Sequence, residues 1–179
     1  MSLSPRLDSL GLRLLEAADA PELHALVEAN RDYLAPWVPW AATQELPETE
    51  KFIAETQGQI ARNDGFQVCI APGGPIIGMV GFHGVSWVNR RTSIGYWLAE
   101  AQQGRGIMTT AVRALVDHAF SEWNLHRIEI HCAPANHRSR AIPERLGFRE
   151  EAVLCENELV GGRYLDGVVY GLLEDEWEK

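Results

Sequence analysis

A chain of 179 residues that is 46% hydrophobic has enough apolar side chain for a proper core, and it is read as a single domain over residues 1–179. Its net charge of -9 argues against a nucleic-acid backbone as the main partner, because that affinity comes from clustered Lys and Arg. No apolar run reaches the roughly 18 residues of a membrane span, and the opening MSLSPRLDS lacks a charged-then-apolar signal pattern, so a soluble cytoplasmic protein with no membrane partner is expected.

In chain order, residues 10–17 alternate apolar and polar side chains as a first strand does. Asp19 and Glu22 then have capping-box spacing, and Leu23, Leu26, Val27 and Asn30 continue at helical intervals, predicting a helix to about residue 34. A proline-punctuated connection follows, LAPWVPWAATQELP, carrying Trp37 and Trp40. Residues 48–62 predict a second helix that stops at Asn63-Asp64-Gly65. The runs 66–71 and 76–85 read as strands joined by Pro72-Gly73-Gly74-Pro75, a hairpin signal. Residues 92–100 form a further strand leading into QQGRGIMTT.

In that stretch Gly104 and Gly106 open a helical pattern that places Met108, Ala111, Val112, Leu115 and Ala119 on one face. Two glycines before a helix let backbone N–H groups approach an anion, and the helix start adds unsatisfied donors and the positive dipole end. A phosphate-binding P-loop needs a Gly-Lys-Ser/Thr ending, and here Gly106 is followed by Ile107 and Met108. A dinucleotide fingerprint needs a third small residue where Thr109 stands and an acid about 20 residues on. Neither context is met. Ile128, Ile130 and Cys132 then alternate with Glu129 and His131 as a strand, parallel to 92–100 because a crossover helix joins them. A short helix from Ser139 to Leu146 is expected, then a terminal antiparallel pair around Gly161-Gly162. Cys69, Cys132 and Cys155 are widely spaced without metal-ligand pairing, so they are expected to be reduced, mostly buried, and not to bind a metal.

Taken together, IGYWLAE, GRGIM, the Asn136-x-x-Ser139 pair, Leu146-Gly147-Phe148 and LVGGRYLDGVVYGLL resemble the GNAT superfamily of N-acetyltransferases, over nearly the whole chain. Within it the likeness is to the branch of Rim-type ribosomal-protein N-terminal acetyltransferases. The resemblance implies an α/β (α+β) fold: a mixed, mostly antiparallel central sheet with a splayed parallel strand pair, flanked by helices. It also implies acetyl-CoA as co-substrate and direct transfer to a primary amine. That amine is the N-terminal α-amine of a ribosomal or other protein, or alternatively a small-molecule amine such as an amino acid, polyamine or antibiotic. A non-catalytic acyl-CoA sensor is a third reading, and a homodimer is a further implication.

Residue by residue, the resemblance assigns the pantetheine and thioester carbonyl to backbone groups near Trp97 and Leu98. The pyrophosphate falls to Gln103, Gly104, Arg105, Gly106, Ile107 and Met108, with hydroxyls from Thr109 and Thr110. Asn136 and Ser139 also face the cofactor, and Trp37, Trp40 and His83 fall on the acceptor side. Arginines among Arg138, Arg140, Arg145, Arg149, Arg105 and Arg127 would pair with phosphates. Two departures stand out: the usual Gln or Arg three residues before the first glycine is Ala101, and a tyrosine that many members keep seven residues after the asparagine is Pro143. Proline cannot donate a proton, so Ser139, expected at the helix N-cap, becomes the candidate acid, and Glu158 the candidate base, with Glu129 and His83 as rivals.

Overall fold

The computed structural model describes residues 5–177. Along the chain run α1 (Pro5–Ser9), β1 (Leu12–Leu14), α2 (Ala20–Ala29), α3 (Arg31–Leu34), α4 (Leu46–Ala61), β2 (Gln67–Ile70), β3 (Gly78–Ser86) and β4 (Arg91–Leu98). Then follow α5 (Ile107–Ser121), β5 (Arg127–Cys132), α6 (His137–Arg145), β6 (Arg149–Val160) and β7 (Arg163–Leu173). The strands form one sheet in the order β1-β2-β3-β4-β5-β7-β6, antiparallel except for the β4–β5 pair. This is the mixed, mostly antiparallel architecture that the resemblance implies.

The central strands are apolar on both faces because both are covered. Val68, Ile70, Val80 and Phe82 join the cluster of Val112, Leu115 and Ala119 from α5. Their neighbours Cys69 and Met79 point the other way, into a cluster with Leu23 of α2 and Ile53 of α4. Period-two alternation thus sends successive residues of one run into two cores. Leu115 and Val112 are fully buried, and truncating Leu115 to alanine costs on the order of 2–5 kcal/mol.

Several boundaries differ from expectation, each for an identifiable physical reason. The first strand shrinks to Leu12–Leu14 because Gly11, at φ 72, lies so close to Pro72 that a Cβ would stand 2.6 Å from its Cα. The expected helix to residue 34 breaks at Asn30, whose side chain donates to Leu26 O at 2.8 Å and accepts from Glu100 N at 2.9 Å. That break sets α3 beside the glycine loop. Helix α4 starts earlier, at Leu46, where the Glu45 N–H donates to the Glu48 carboxylate at 3.1 Å.

The feature that positions the site is the short parallel ladder. β4 and β5 pair at Arg91–Arg127, Thr92–Ile128 and Ser93–Glu129, and there the pairing ends. β4 stays with β3 up to Leu98–Gly78, whereas β5 stays with β7 up to Cys132–Val168. Each strand follows its antiparallel partner, so the two diverge. The start of α5 faces the opening.

Candidate active site

Two cavities meet at the divergence, one enclosing about 1030 Å³ and the other about 770 Å³. Trp37, Val38, Tyr96, Trp97, Asn136 and Ser139 line both. They form a common wall between two spaces with opposite electrostatic character.

The smaller cavity is built on the glycine loop. Gly104 and Gly106 adopt φ 72 and 75, left-handed values that cost a side-chain-bearing residue strain. Gly106 is the N-cap of α5, and no side chain caps the helix there, so the first-turn N–H groups and the dipole face the cavity. Every residue from Gln103 to Thr110 lines this space, as do Trp97, Leu98, Asn136 and Ser139. Arg105, Arg138 and Arg145 add positive charge. Tyr33, Gln103 and Arg138 join across it: the Gln103 amide donates to the Tyr33 hydroxyl, and Arg138 donates to Gln103 Oε1 at 3.2 Å. An uncapped helix start with three guanidinium groups fits the phosphates of a coenzyme.

The other arginines of that set are engaged elsewhere. Arg127 binds Glu129 at 2.8 Å and also Glu151, Arg140 binds Tyr170 at 2.8 Å and Glu150 at 3.0 Å, and Arg149 pairs with Glu176. None of the three lines either cavity.

The larger cavity lies over the α2–α4 face of the sheet. Trp40 packs edge-on to Trp97 with ring centroids 6.1 Å apart, closing one side. The loop carrying Trp40 is pinned by Arg31, which donates to Ala41 O and Gln44 O, both at 2.8 Å. His83 enters this cavity from a β-bulge in β3, where the register slips between Phe82 and Val85 and Gly84 takes φ 116. A strand histidine in GFHGV thus faces the cleft rather than a core. The protein around the ring, and then the charge of His131, lower the His83 pKa from 6.5 although its edge is open to solvent.

A second bulge supplies carboxylates. β6 advances four residues from Leu154 to Glu158 while β7 retreats two, from Gly167 to Leu165. Glu156 takes φ 50 there and donates its N–H to Asp166 Oδ1 at 2.8 Å. The consecutive residues Asn157 and Glu158 therefore both line the larger cavity, together with Asp166. Glu129 does not. Burial pushes its carboxyl up, but the hydrogen bonds from Arg127 and His131 outweigh this and hold it below the usual range.

Ser139 sits one turn inside its helix, not at the cap. The N-cap is Asn136, whose Oδ1 accepts from Ser139 N at 3.1 Å, and Pro143 falls within α6. Ser139 Oγ lies 3.2 Å from Cys132 Sγ and 3.4 Å from the Tyr96 hydroxyl. Burial, tempered by the Ser139 and Tyr96 hydrogen bonds, raises the Cys132 pKa and keeps it a thiol. Of the cysteines, Cys69 and Cys132 are buried and Cys155 is exposed. Tyr96 and Tyr33 were missed in the sequence; the only signal for Tyr96 is its place beside Trp97 in IGYWLAE.

A sheet opened at one parallel pair, with a glycine-rich helix start at the opening, is the arrangement of an acyltransferase fold. The chain belongs to the GNAT acetyltransferases: the Acetyltransferase (GNAT) domain model matches residues 9–149. It is similar to YdaF of Bacillus subtilis, provisionally named a ribosomal N-acetyltransferase, at 38% identity over 96% of this chain and 94% of that one. Among solved structures it is similar to RimL, the ribosomal L7/L12 alpha-N-protein acetyltransferase in complex with coenzyme A. That likeness has a TM-score of 0.85 and 27% identity, covering 90% of this chain and 92% of the other. The microcin C7 self-immunity acetyltransferase MccE, in complex with acetyl-CoA and AMP, gives a TM-score of 0.85 at 27% identity over 90% and 91%. The protein is an N-acetyltransferase of this family.

Proposed function

We propose that the protein moves acetyl from acetyl-CoA directly to a primary amine in the cytoplasm, with the N-terminal α-amine of a protein as the preferred acceptor. The observation that carries this is the shared wall of Tyr96, Trp97, Asn136 and Ser139, which separates a cationic cavity from an acidic one. The loop from Gln103 to Met108 and Arg105, Arg138 and Arg145 hold the coenzyme's phosphates. Backbone groups near Trp97 and Leu98 hold its arm. Acetyl-CoA supplies the activated thioester.

The acceptor enters from the larger cavity. Its lining includes Glu48, Glu158 and Asp166 and, among the described residues, no Lys or Arg, which suits a cationic amine. Trp40, Glu158 and Asp166 are exposed along it, so the space is open enough for a chain terminus. Attack needs a neutral amine. An α-amino group has a pKa of about 7.7–8.0, against about 10.4 for lysine, so a weak base suffices. Glu158 takes that proton through water. As the C–S bond breaks and the amide C–N bond forms, the Ser139 hydroxyl donates to the departing sulfur, and the proton taken by Glu158 returns through water to the serine oxygen. Cys132, a protonated thiol, does not serve as an acyl carrier.

The same acidic lining supports a second reading, a small polycationic amine as acceptor. Thiol release from acetyl-CoA with N-terminal peptides, amino acids, polyamines and aminoglycosides separates the two. Turnover with a peptide, lost when its α-amine is blocked, is the expected result; turnover with small amines alone overturns the acceptor, and binding without turnover establishes a sensor. Glu158→Gln should lower kcat and shift its pH profile, and unchanged values would remove Glu158 as base.

A further inference from the structure

Ser139 is held at three of its atoms. Its N–H donates to Asn136 Oδ1 at 3.1 Å, its carbonyl accepts from the Tyr96 hydroxyl at 3.0 Å, and its Oγ lies between Cys132 Sγ at 3.2 Å and the Tyr96 hydroxyl at 3.4 Å. The second of these contacts has an origin in the sequence. In an uninterrupted α-helix the carbonyl of residue 139 accepts the N–H of residue 143. Residue 143 of this chain is a buried proline inside α6, and proline has no N–H. The carbonyl is left to a donor from outside the helix, and Tyr96 of β4 supplies it.

We propose that Tyr96 is the positioning residue for Ser139: through the carbonyl that Pro143 leaves unclaimed, its hydroxyl ties the first turn of α6 to β4 and sets the Ser139 hydroxyl at the wall common to both cavities. This rests on the reading that Ser139 donates to the leaving sulfur. The proton of the phenol is committed to the carbonyl, so Tyr96 does not itself supply the sulfur. Burial and the neighbouring Cys132 keep that phenol far above its ordinary pKa, and it remains a donor throughout the working pH range. With its own proton on the carbonyl, the Tyr96 oxygen accepts from the Ser139 hydroxyl at 3.4 Å, and the Cys132 S–H can donate to Ser139 Oγ, so both neighbours fix where the serine hydroxyl sits. A tyrosine and a proline that look unrelated in the sequence therefore act as one device. Pro143 does not line either cavity and Tyr96 lines both.

The test compares Ser139→Ala, Tyr96→Phe, Pro143→Ala, and the doubles Tyr96→Phe/Ser139→Ala and Tyr96→Phe/Pro143→Ala, reading kcat, KM for acetyl-CoA and Tm of the whole protein. Ser139→Ala should lower kcat about 10²-fold, in the range for loss of one transition-state donor. Tyr96→Phe should lower kcat on the order of 10-fold with KM for acetyl-CoA unchanged, and should add nothing to Ser139→Ala, because residues acting as a unit are not additive. Pro143→Ala restores a helical N–H for the carbonyl, so it should recover most of the activity and Tm that Tyr96→Phe loses. The double with Pro143→Ala also provides a foldable protein should Tyr96→Phe fold poorly. A Tyr96→Phe enzyme with wild-type kcat beside an impaired Ser139→Ala overturns the tie alone. So does a folded Tyr96→Phe/Pro143→Ala protein without recovery, or a further loss on the Ser139→Ala background. A Ser139→Ala enzyme with wild-type kcat overturns the donor reading beneath it, and the tie with it.

Discussion

The His83 ring lies directly over Gly95: a Cβ built on Gly95 would stand 2.1 Å from His83 Nε2. Gly95 pairs with Gly81 across the β3–β4 ladder, so neither strand sends a side chain of its own into the floor of the larger cavity where the imidazole crosses it. A methyl group at 95 must displace the ring. What it meets is the end of a side chain rather than backbone, so the ring swings aside and the fold survives. Gly95→Ala is expected to raise the acceptor KM by on the order of 10-fold, matching about 1–3 kcal/mol of overpacking, with KM for acetyl-CoA unchanged. Steady-state kinetics in both substrates check this, and equal changes in the two KM values would refute it.

The same histidine sets a pH dependence. The protein around the ring and then His131 lower its pKa from 6.5, so the ring is mostly neutral at pH 7 and gains charge as the pH falls below 6.5. A positive charge there opposes a cationic amine in a cleft lined by Glu48, Glu158 and Asp166. Acceptor amine protonation acts alike on wild type and variant, so the ratio of their KM values isolates the histidine. That ratio, wild type over His83→Gln, should be constant above pH 6.5 and rise below it. A ratio independent of pH would show that His83 does not face the bound amine.

Acid stability depends on another histidine. His118 of α5 packs against Phe66 and Trp123, with ring centroids 5.4 and 4.8 Å away, and both of its ring nitrogens are buried without a hydrogen-bond partner among the described residues. Burial lowers its pKa from 6.5, partly offset by Glu122. The folded state therefore takes up a proton less readily than the unfolded one. Stability from this site is complete above pH 6.5 and declines as the pH falls from there through the folded pKa. Denaturant unfolding of His118→Phe should show a shallower decline between pH 7 and 5 than wild type. Parallel curves would count against it.

The cap of α6 gives a stability prediction. Asn136→Ala removes the acceptor for Ser139 N and should cost about 1 kcal/mol, or about 2–4 °C in Tm for a chain of this size. Asn136→Asp retains an acceptor and should keep the wild-type Tm. Equal losses in both variants would show that the amide acts otherwise than as a cap.

The helices and strands were legible where pattern and packing agree. The α5 stripe of Ala111, Val112, Leu115 and Ala119, the alternation of Ile128, Ile130 and Cys132, and the glycines of the loop each follow from a period or a backbone requirement local to the chain. Asn30, Gly11 and Pro143 were misjudged because their effects depend on distant partners: Glu100, Pro72 and Tyr96.

By itself the sequence determined the family, through motifs that resemble it, and the mixed sheet and the glycine-opened helix start, since glycine spacing and hydrophobic period are local properties of the chain. Only the tertiary structure decided which side chains share the cleft. Two β-bulges turn His83 and the Asn157–Glu158 pair into it, and Arg127, Arg140 and Arg149 are claimed by carboxylates elsewhere. A bulge changes where a residue points without changing its neighbours in sequence, and an ion pair joins residues that the sequence holds apart.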